Sequence, residues 1–405
     1  MLLALDDTDD PQGGCTTDTA LQLVERLGLH LRSMPRLVRL NPNCPHKTRG
    51  NGAVVLDLAT PEGPRVQVGE RGRSIEAFPD GGEPQIDLED VWEAVQALAR
   101  PGADPVVALA PEPLPEPVYW QAVRTRVERD EAAAVLEASG ASWRGDGQGI
   151  VGCAGALAWS GPASSYELIA YRDPNVARTV DPAPLLALDD VTFHTAEAGR
   201  LVCVPKTPSP VLLGLRGHDP EALRDRGVPA IRRAGPMQGW CLWATNQASG
   251  DHVLPVDGLA EAPPWATIRI ALEITEAPTM GPGGHASVEG QAPDGPVILR
   301  AFEPTGDFRR AVQALHVGDR VEATGALQGE SIHLESLRLV APVPEKTANP
   351  RCCDKSMKSQ GRTGYRCAKC GATAGPEAAT FRAREPGAWE VPVSARRHLH
   401  RPQAW

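Results

Sequence analysis

Sixteen residues near the start, Leu2–Thr17 (LLALDDTDDPQGGCTT), allow one local order of structure and little else. Leu2, Leu3, Ala4 and Leu5 form an apolar run of the length of a buried strand, and the run stops at Asp6, Asp7, Thr8, Asp9 and Asp10. Pro11, Gly13 and Gly14 break regular structure. From Thr16 the apolar spacing becomes helical, with Ala20, Leu23, Val24 and Leu27 on one face and Gly28 as a stop. The segment predicts strand, acidic turn, glycine loop and helix.

That order suits a metal-nucleotide site. Carboxylates at a strand end can hold Mg²⁺, which takes hard oxygen ligands and keeps several waters. The first turn of the helix offers unpaired N–H groups and a positive dipole end to phosphate. Thr16 and Thr17 stand there as hydroxyls that cap the helix or face a phosphoryl group. A simple helix cap beside a solvated acidic loop would use the same residues. Four carboxylates in five residues repel one another without a cation, which brings the metal reading level with the cap, and the motif alone does not name a function.

A chain of 405 residues exceeds one ordinary core and predicts two to four domains. No apolar run reaches the length of a membrane-spanning helix, and the chain enters LALDD without a basic and apolar leader. A soluble protein of the reducing cytoplasm, with no membrane partner, is expected. Five of the nine cysteines are scattered singly and four crowd between Cys352 and Cys370, which argues for a metal site over a disulfide framework. The net charge of −10 divides unevenly, with +7 from Val343 onward and −17 before it. This asymmetry predicts a polyanion-binding module behind an acidic body that suits cations.

Leu37–Leu40 and Ala53–Leu58 read as strands that flank NPNCPHKTRGNG, where Lys47 and Arg49 sit beside Gly50 and Asn51 in a loop able to approach phosphate closely. Residues 86–100 read as a helix and the proline-rich stretch 101–117 as a linker or extended edge. A helix is expected to end near Ser139-Gly140, and glycine-rich 145–158 gives a weak phosphate-loop signal. Strands at Tyr166–Tyr171, Val211–Leu215 and Gly239–Ala244 follow, the last two running into polar clusters. Arg216, Asn246, Gln247, Asp251 and His252 are therefore substrate-site candidates. Alternation in Thr267–Leu272, Val297–Ala301, Arg320–Thr324 and Ile332–Leu339 predicts an all-β module of about five strands, suited to an OB-fold barrel.

Cys352, Cys353, Cys367 and Cys370 then form a zinc-ribbon pattern whose first pair is adjacent, so all four bind one ion only if the backbone contorts. Arg382, Arg384, Arg396, Arg397, His398 and Arg401, with Trp389 and Trp405, make a basic and aromatic tail suited to RNA.

Taken in order, LDDTDDPQGGCTT, RLNPNCPHKTRGNGAVV, YELIAYR, PVLLGLRG, TNQASGDH, FEPTGDFRRAVQALHVGD, NPRCCDKSMKSQGRTGYRCAKCG and VPVSARRHLHRP resemble the archaeal tRNA 2-agmatinylcytidine synthetases over nearly the whole chain. The resemblance implies a multidomain α+β protein: a kinase-like α/β domain (1–115), a ferredoxin-like α+β domain (116–258), an OB-fold β-barrel (259–342), a zinc ribbon (343–375) and a basic tail (376–405). It implies that ATP phosphorylates the C2 oxygen of the wobble cytidine, position 34, in AUA-decoding isoleucine tRNA. The primary amine of agmatine then displaces that phosphate, in a carbon–nitrogen ligase reaction. Asp6, Asp7 and Asp9 match the metal-binding acidic motif and Thr16 the threonine that is autophosphorylated; Gly13, Gly14, Lys47, Arg49, Gly50 and Asn51 fall in the nucleotide-binding segments. The implied cofactors are ATP, Mg²⁺ and a structural Zn²⁺, and Arg396, Arg397, His398 and Arg401 are expected to contact tRNA. His46 stands where the family more often has an aromatic or apolar residue, and Cys352-Cys353 replaces a Cys-x-x-Cys knuckle. A non-enzymatic single-strand binder built on the barrel and ribbon is the alternative. It leaves the acidic turn and KTRGN unexplained, while a small-molecule kinase leaves residues 265–405 idle.

Overall fold

The computed structural model describes residues 1–47, 50–403 and 405. Its chain divides into two compact units. The first takes residues 1–254, 262–267 and 392–405; the second takes 255–261 and 268–391.

Among the described residues, eleven strands of the first unit join in one sheet: β1 (Leu2–Asp6), β2 (His30–Leu31), β3 (Arg36–Arg39), β4 (Gly52–Ala59), β5 (Val66–Arg71), β6 (Arg73–Ala77), β7 (Val106–Ala110), β8 (Ser142–Arg144), β9 (Ser165–Tyr171), β10 (Val211–Gly217) and β11 (Gly239–Thr245). The strand order is β10-β9-β11-β5-β6-β2-β4-β1-β7-β8, and β3 pairs with both β4 and β11 to close a ring within it. β1 lies between β4 and β7, antiparallel to both. Its unbroken apolar run is explained by burial on two faces. Leu3 and Leu5 pack with α1 (Thr16–Arg26) and α2 (Leu88–Leu98), while Leu2 and Ala4 pack with α3 (Glu116–Arg124), α4 (Arg129–Ala138) and α5 (Gly149–Ala158).

Two expectations are corrected. Residues 106–110 are not linker but strand β7, fully inside the sheet, because VVALA between the prolines carries enough apolar surface to be buried beside β1. Residues 149–158 are not a phosphate loop but the buried helix α5. Its glycines serve close packing, Gly149 and Gly152 against Asp6 at the end of β1 and Gly155 against Ala122 and Leu40.

The core of the second unit is a closed barrel. Strand Thr267–Ile274, which enters this unit at Ile268, pairs with Ala286–Ala292 and Arg320–Gln328. Gly295–Ala301 pairs antiparallel with Ala286–Ala292 and parallel with Ser331–Ala341, which returns antiparallel to Arg320–Gln328. A helix, Asp307–Gln313, lies between the third and fourth barrel strands. Ala286–Ala292 lacked a sequence signal because ASVEGQA has one branched aliphatic residue, although its burial alternates along the whole strand. The basic tail is packed rather than solvated. Gly387–Glu390 adds a strand beside Ser331–Ala341, and Arg384 Nη1 donates to both carboxylate oxygens of the buried Asp319, at 2.7 and 2.9 Å. Residues 392–405 belong to the first unit. No helix of the described residues is long and apolar enough to cross a membrane.

Candidate active site

A cavity of about 540 Å³ opens in the first unit where β1 ends and α1 begins. Asp6, Asp7, Asp9, Cys15, Thr16 and Thr17 form one end of it. The acidic turn is built by the sequence that follows it. Asp10 and Gly13 exchange backbone hydrogen bonds of 3.0 and 3.1 Å, Asp10 Oδ1 accepts from Gln12 N, and Thr8 Oγ1 meets Thr19 Oγ1 at 3.0 Å. Asp10 is thereby a turn residue, and the other carboxylates face the cavity. Gly13 and Gly14 shape this turn and lie outside the cavity wall, which Thr16 lines at the first position of α1. Cys15 occupies the N-cap and makes no side-chain cap hydrogen bond, leaving the α1 N-terminus to the cavity.

Asp6 is 7% exposed and accepts a 2.8 Å hydrogen bond from Asp7 N. Burial, followed by the charge of Asp7, pushes its carboxyl well above the usual range. Asp7, held at φ 52°, is raised to about 6 by burial and by Asp9 and Asp104. Helix α5 sets this crowding. Gly149 N–H donates to Asp7, and any Cβ at Gly152 would land on Asp6 Oδ2. Carboxylates that resist ionisation through mutual repulsion fit a divalent cation, which relieves that repulsion. Mg²⁺ takes such hard oxygen ligands, one or two carboxylates completed by waters and phosphate.

Much of the remaining lining is cationic. Lys47, Gly50 and Asn51 belong to it with Arg39, Arg216, Arg396, Arg397 and His398. Arg49 lies outside the described residues. Gly50 leaves room for the cavity wall, since a Cβ there would come within 2.7 Å of Arg39 Nη1 and 3.0 Å of His398 Nε2. Lys47 Nζ donates to Pro42 O, and Asn51 Nδ2 donates to Asn41 O at 2.6 Å, folding the loop back on itself.

Beneath this wall lies a buried network that the sequence reading missed. Glu167 of β9 faces Arg216 at 3.4 Å and Arg39 at 3.7 Å and accepts 2.6 Å from Gln247 Nε2. Burial would raise its carboxyl, but the two guanidiniums and Gln247 outweigh it and hold the group below the ordinary glutamate value. His398 Nδ1 meets Arg216 Nη2 at 2.8 Å and Gln247 Oε1 at 3.0 Å. Arginine only donates and Oε1 only accepts, so Nδ1 serves one of them at a time. Burial, with Arg39 and Arg216, holds the imidazole neutral, well below its usual pKa. The available signal was the lone carboxylate inside the apolar run YELIAY.

The other polar candidates support the wall from behind and do not line it. Asn246 accepts from Arg39 N at 2.7 Å and donates to Arg39 O and Tyr119 Oη, both at 2.8 Å. Asp251 accepts 2.6 Å from Tyr119 Oη, and His252 is buried. Residues 392–405 are pinned into the unit by Val393 N and Ser394 Oγ donating to Glu197 and by Ala248 N and Gly250 N donating to the carbonyls of His398 and Leu399. Arg401 is exposed, beside Gly250 and away from the cavity.

In the second unit the sulfurs of Cys352, Cys353, Cys367 and Cys370 lie within 4.8 Å of one another. The contortion that adjacent ligands demand is present, since Cys353 and Asp354 both adopt left-handed backbone, at φ 50° and 62°. Cys352 Sγ lies 3.9 Å from Cys353 Sγ and 3.5 Å from Cys370 Sγ. Those separations bracket the edge of about 3.8 Å for four sulfurs tetrahedral around zinc at ~2.3 Å. Backbone N–H groups of Cys370 and Lys369 lower Cys367 to about 7, favouring the thiolate a metal needs. The residues fit zinc.

Three family models match the chain: the TiaS TCKD domain over residues 2–145, the TiaS FLD domain over 147–252 and the TiaS C-terminal zinc ribbon domain over 349–385. An isoleucine-tRNA 2-agmatinylcytidine synthetase, TiaS, from Methanosarcina mazei is 32% identical over 433 aligned residues, covering 99% of this chain and 96% of that protein. One from Methanopyrus kandleri is 33% identical at the same coverage of each chain. Among solved structures, a complex of TiaS with its isoleucine tRNA and ATP superposes with a TM-score of 0.79 at 28% identity, covering 100% of this chain and 96% of the other. A complex of TiaS with the same tRNA, AMPCPP and agmatine gives 0.77 at 26% identity, again covering 100% and 96%.

Proposed function

The chain belongs to the TiaS family of isoleucine-tRNA 2-agmatinylcytidine synthetases, and from that membership we propose how its own residues join agmatine to C2 of the wobble cytidine in AUA-decoding isoleucine tRNA. The observation that carries the reading is a single cavity lined by the carboxylates of the acidic turn, the first turn of α1, and Lys47, Arg216 and Arg396. ATP, a polyanionic RNA and a dicationic amine each find their opposite charge there.

A carbonyl oxygen leaves poorly until it is esterified. ATP therefore donates a phosphoryl group to the C2 oxygen, forming the O–P bond as the phosphoanhydride breaks. The neutral primary amine of agmatine then attacks C2, the C–O bond breaks, phosphate departs and the amine loses its proton. Asp6, Asp7 and Asp9 would hold Mg²⁺, which supplies charge neutralisation to the phosphates when bound. The α1 N-terminus and Lys47 position the phosphates, and Thr16, facing the same space, is the hydroxyl that accepts a phosphoryl group. Arg49, Gly50 and Asn51 extend the phosphate-binding loop, and Gly13 and Gly14 shape its acidic counterpart.

In this reading residues 1–115 are a kinase-like domain, 116–258 a ferredoxin-like domain, 259–342 an OB-fold, 343–375 a zinc ribbon held by Cys352, Cys353, Cys367 and Cys370, and 376–405 the basic segment whose Arg396, Arg397, His398 and Arg401 serve tRNA. Arg216 meets substrate directly, while Asn246, Gln247, Asp251 and His252 hold the wall that does so. The protein is a cytoplasmic ATP-dependent carbon–nitrogen ligase.

The test is ATP turnover with each reactant withheld in turn. Turnover that requires both agmatine and the cognate tRNA supports the assignment. Turnover without RNA, or none with all components present, refutes it.

A further inference from the structure

The chain is poor in Phe, Trp and Tyr, at 4%, yet Phe193, His194, His218 and Trp405 gather in the first unit, outside the core clusters formed by the described residues. Phe193 stacks on His218 with centroids 5.0 Å apart and an interplanar angle of 25°. Trp405 stands edge-on to both at 4.7 Å and lies 6.0 Å from His194, nearly parallel to it at 9°. Trp405 is 45% exposed and His218 is exposed. Burying such rings would stabilise the fold, so leaving His218 and Trp405 in water beside the half-buried Phe193 and His194 suits a partner that covers them.

The cluster is fastened to the cavity rim. Phe193 N donates to Arg216 O at 2.9 Å, and His218 follows Arg216 by two residues at the end of β10. His194 lines the cavity and accepts 2.6 Å from Arg396 Nη1, so the ring that faces Trp405 also forms part of the cavity wall. His194 reaches this position through left-handed backbone, at φ 55°. Trp405 is held by a turn in which its N–H donates to Pro402 O at 3.2 Å.

We propose that Phe193, His194, His218 and Trp405 form a stacking platform for one unpaired nucleobase of single-stranded RNA, that of a nucleotide flanking the one whose base enters the cavity. The inference rests on the RNA-modifying reading above and adds to it where the neighbouring base goes. Charge selects the occupant. Arg216, Arg396, Arg397 and Lys206 border the cavity on this side, which suits phosphates at either end of a stacked nucleotide and disfavours a cationic or purely apolar partner. A base on the platform would stop the strand from sliding and so fix which base occupies the cavity.

The experiment uses the full-length protein and an anticodon stem-loop carrying 2-aminopurine at the nucleotide before or after the wobble cytidine. Stacking quenches this fluorophore. One of the two labelled RNAs loses emission on binding wild type, and the double variant His218→Ala, Trp405→Ala restores it and weakens RNA affinity about tenfold to a hundredfold. Trp405→Phe, which keeps a ring, retains the quench, and thermal melts confirm that each variant is folded. Emission unchanged with both labels, while wild type still modifies unlabelled RNA, overturns the platform and leaves the function standing. A variant that binds RNA normally but needs about tenfold more ATP assigns the rings to the adenine of ATP and also overturns it. Failure of wild type to modify any RNA overturns the reading on which the platform rests.

Discussion

Replacing Gly152 by alanine separates what the acidic turn does for folding from what it does for chemistry. Gly152 lies inside α5, and its missing Cβ leaves the space that Asp6 Oδ2 fills. Alanine favours a helix interior over glycine by about 1 kcal/mol. Overpacking a buried site costs about 1–3 kcal/mol. The movable partner is the end of the Asp6 side chain, so the carboxylate gives way and the net stability change stays within about 2 kcal/mol. That movement is on the order of 1 Å, and misplacing a reacting group by this much costs roughly a hundredfold in rate. Gly152→Ala should therefore melt close to wild type and form modified nucleoside about a hundredfold more slowly in single turnover. A folded variant within threefold of the wild-type rate would refute the claim that α5 sets the Asp6 position for catalysis.

Other outcomes follow from the same geometry. Glu167→Ala strands the guanidiniums of Arg39 and Arg216 in the wall, and denaturant melts should show a loss of about 3–5 kcal/mol; under 1 kcal/mol would mean the network is dispensable. His398 is held neutral below the unfolded value of about 6.5, so only the unfolded state takes up a proton as pH falls through that value, and stability drops on acidification. The wild-type minus His398→Asn difference should approach ~1.4 kcal/mol per pH unit below about 6.5, with Asp6 and Asp7, whose raised pKa values act in the opposite sense, cancelling between the two proteins. Equal slopes would contradict a neutral His398. For the shortened knuckle, the purified protein should carry one zinc per chain by metal analysis. Asp354→Gly, which relieves a left-handed residue, should retain it, and Cys353→Ser should lower zinc affinity at least tenfold.

The order of elements around the acidic turn was legible because local rules act there without competition: an apolar run, a break and a 3.6-residue period. Cys352-Cys353 was legible as chemistry but not as geometry, because only the folded chain shows two successive left-handed residues bringing the sulfurs together. Strand β7 was obscured by flanking prolines, whose turn signal outweighed five apolar residues that pair on both sides. The glycines of α5 suggested a loop because their reason is tertiary, namely contact of Gly149 and Gly152 with Asp6 and of Gly155 with Ala122. Glu167, Arg39 and His398 come from β9, β3 and residues 392–405, and no spacing in the sequence relates them. The same distance in sequence hid the ring cluster, whose members lie between Phe193 and Trp405.

The most direct measurement is mass spectrometry of the wobble nucleoside after incubating the protein, ATP, Mg²⁺ and agmatine with an unmodified transcript of AUA-decoding isoleucine tRNA. A cytidine heavier by agmatine less one water, absent with Thr16→Ala in a folded variant, is the predicted result. An unmodified cytidine from folded wild-type protein that binds the tRNA tightly would contradict the account.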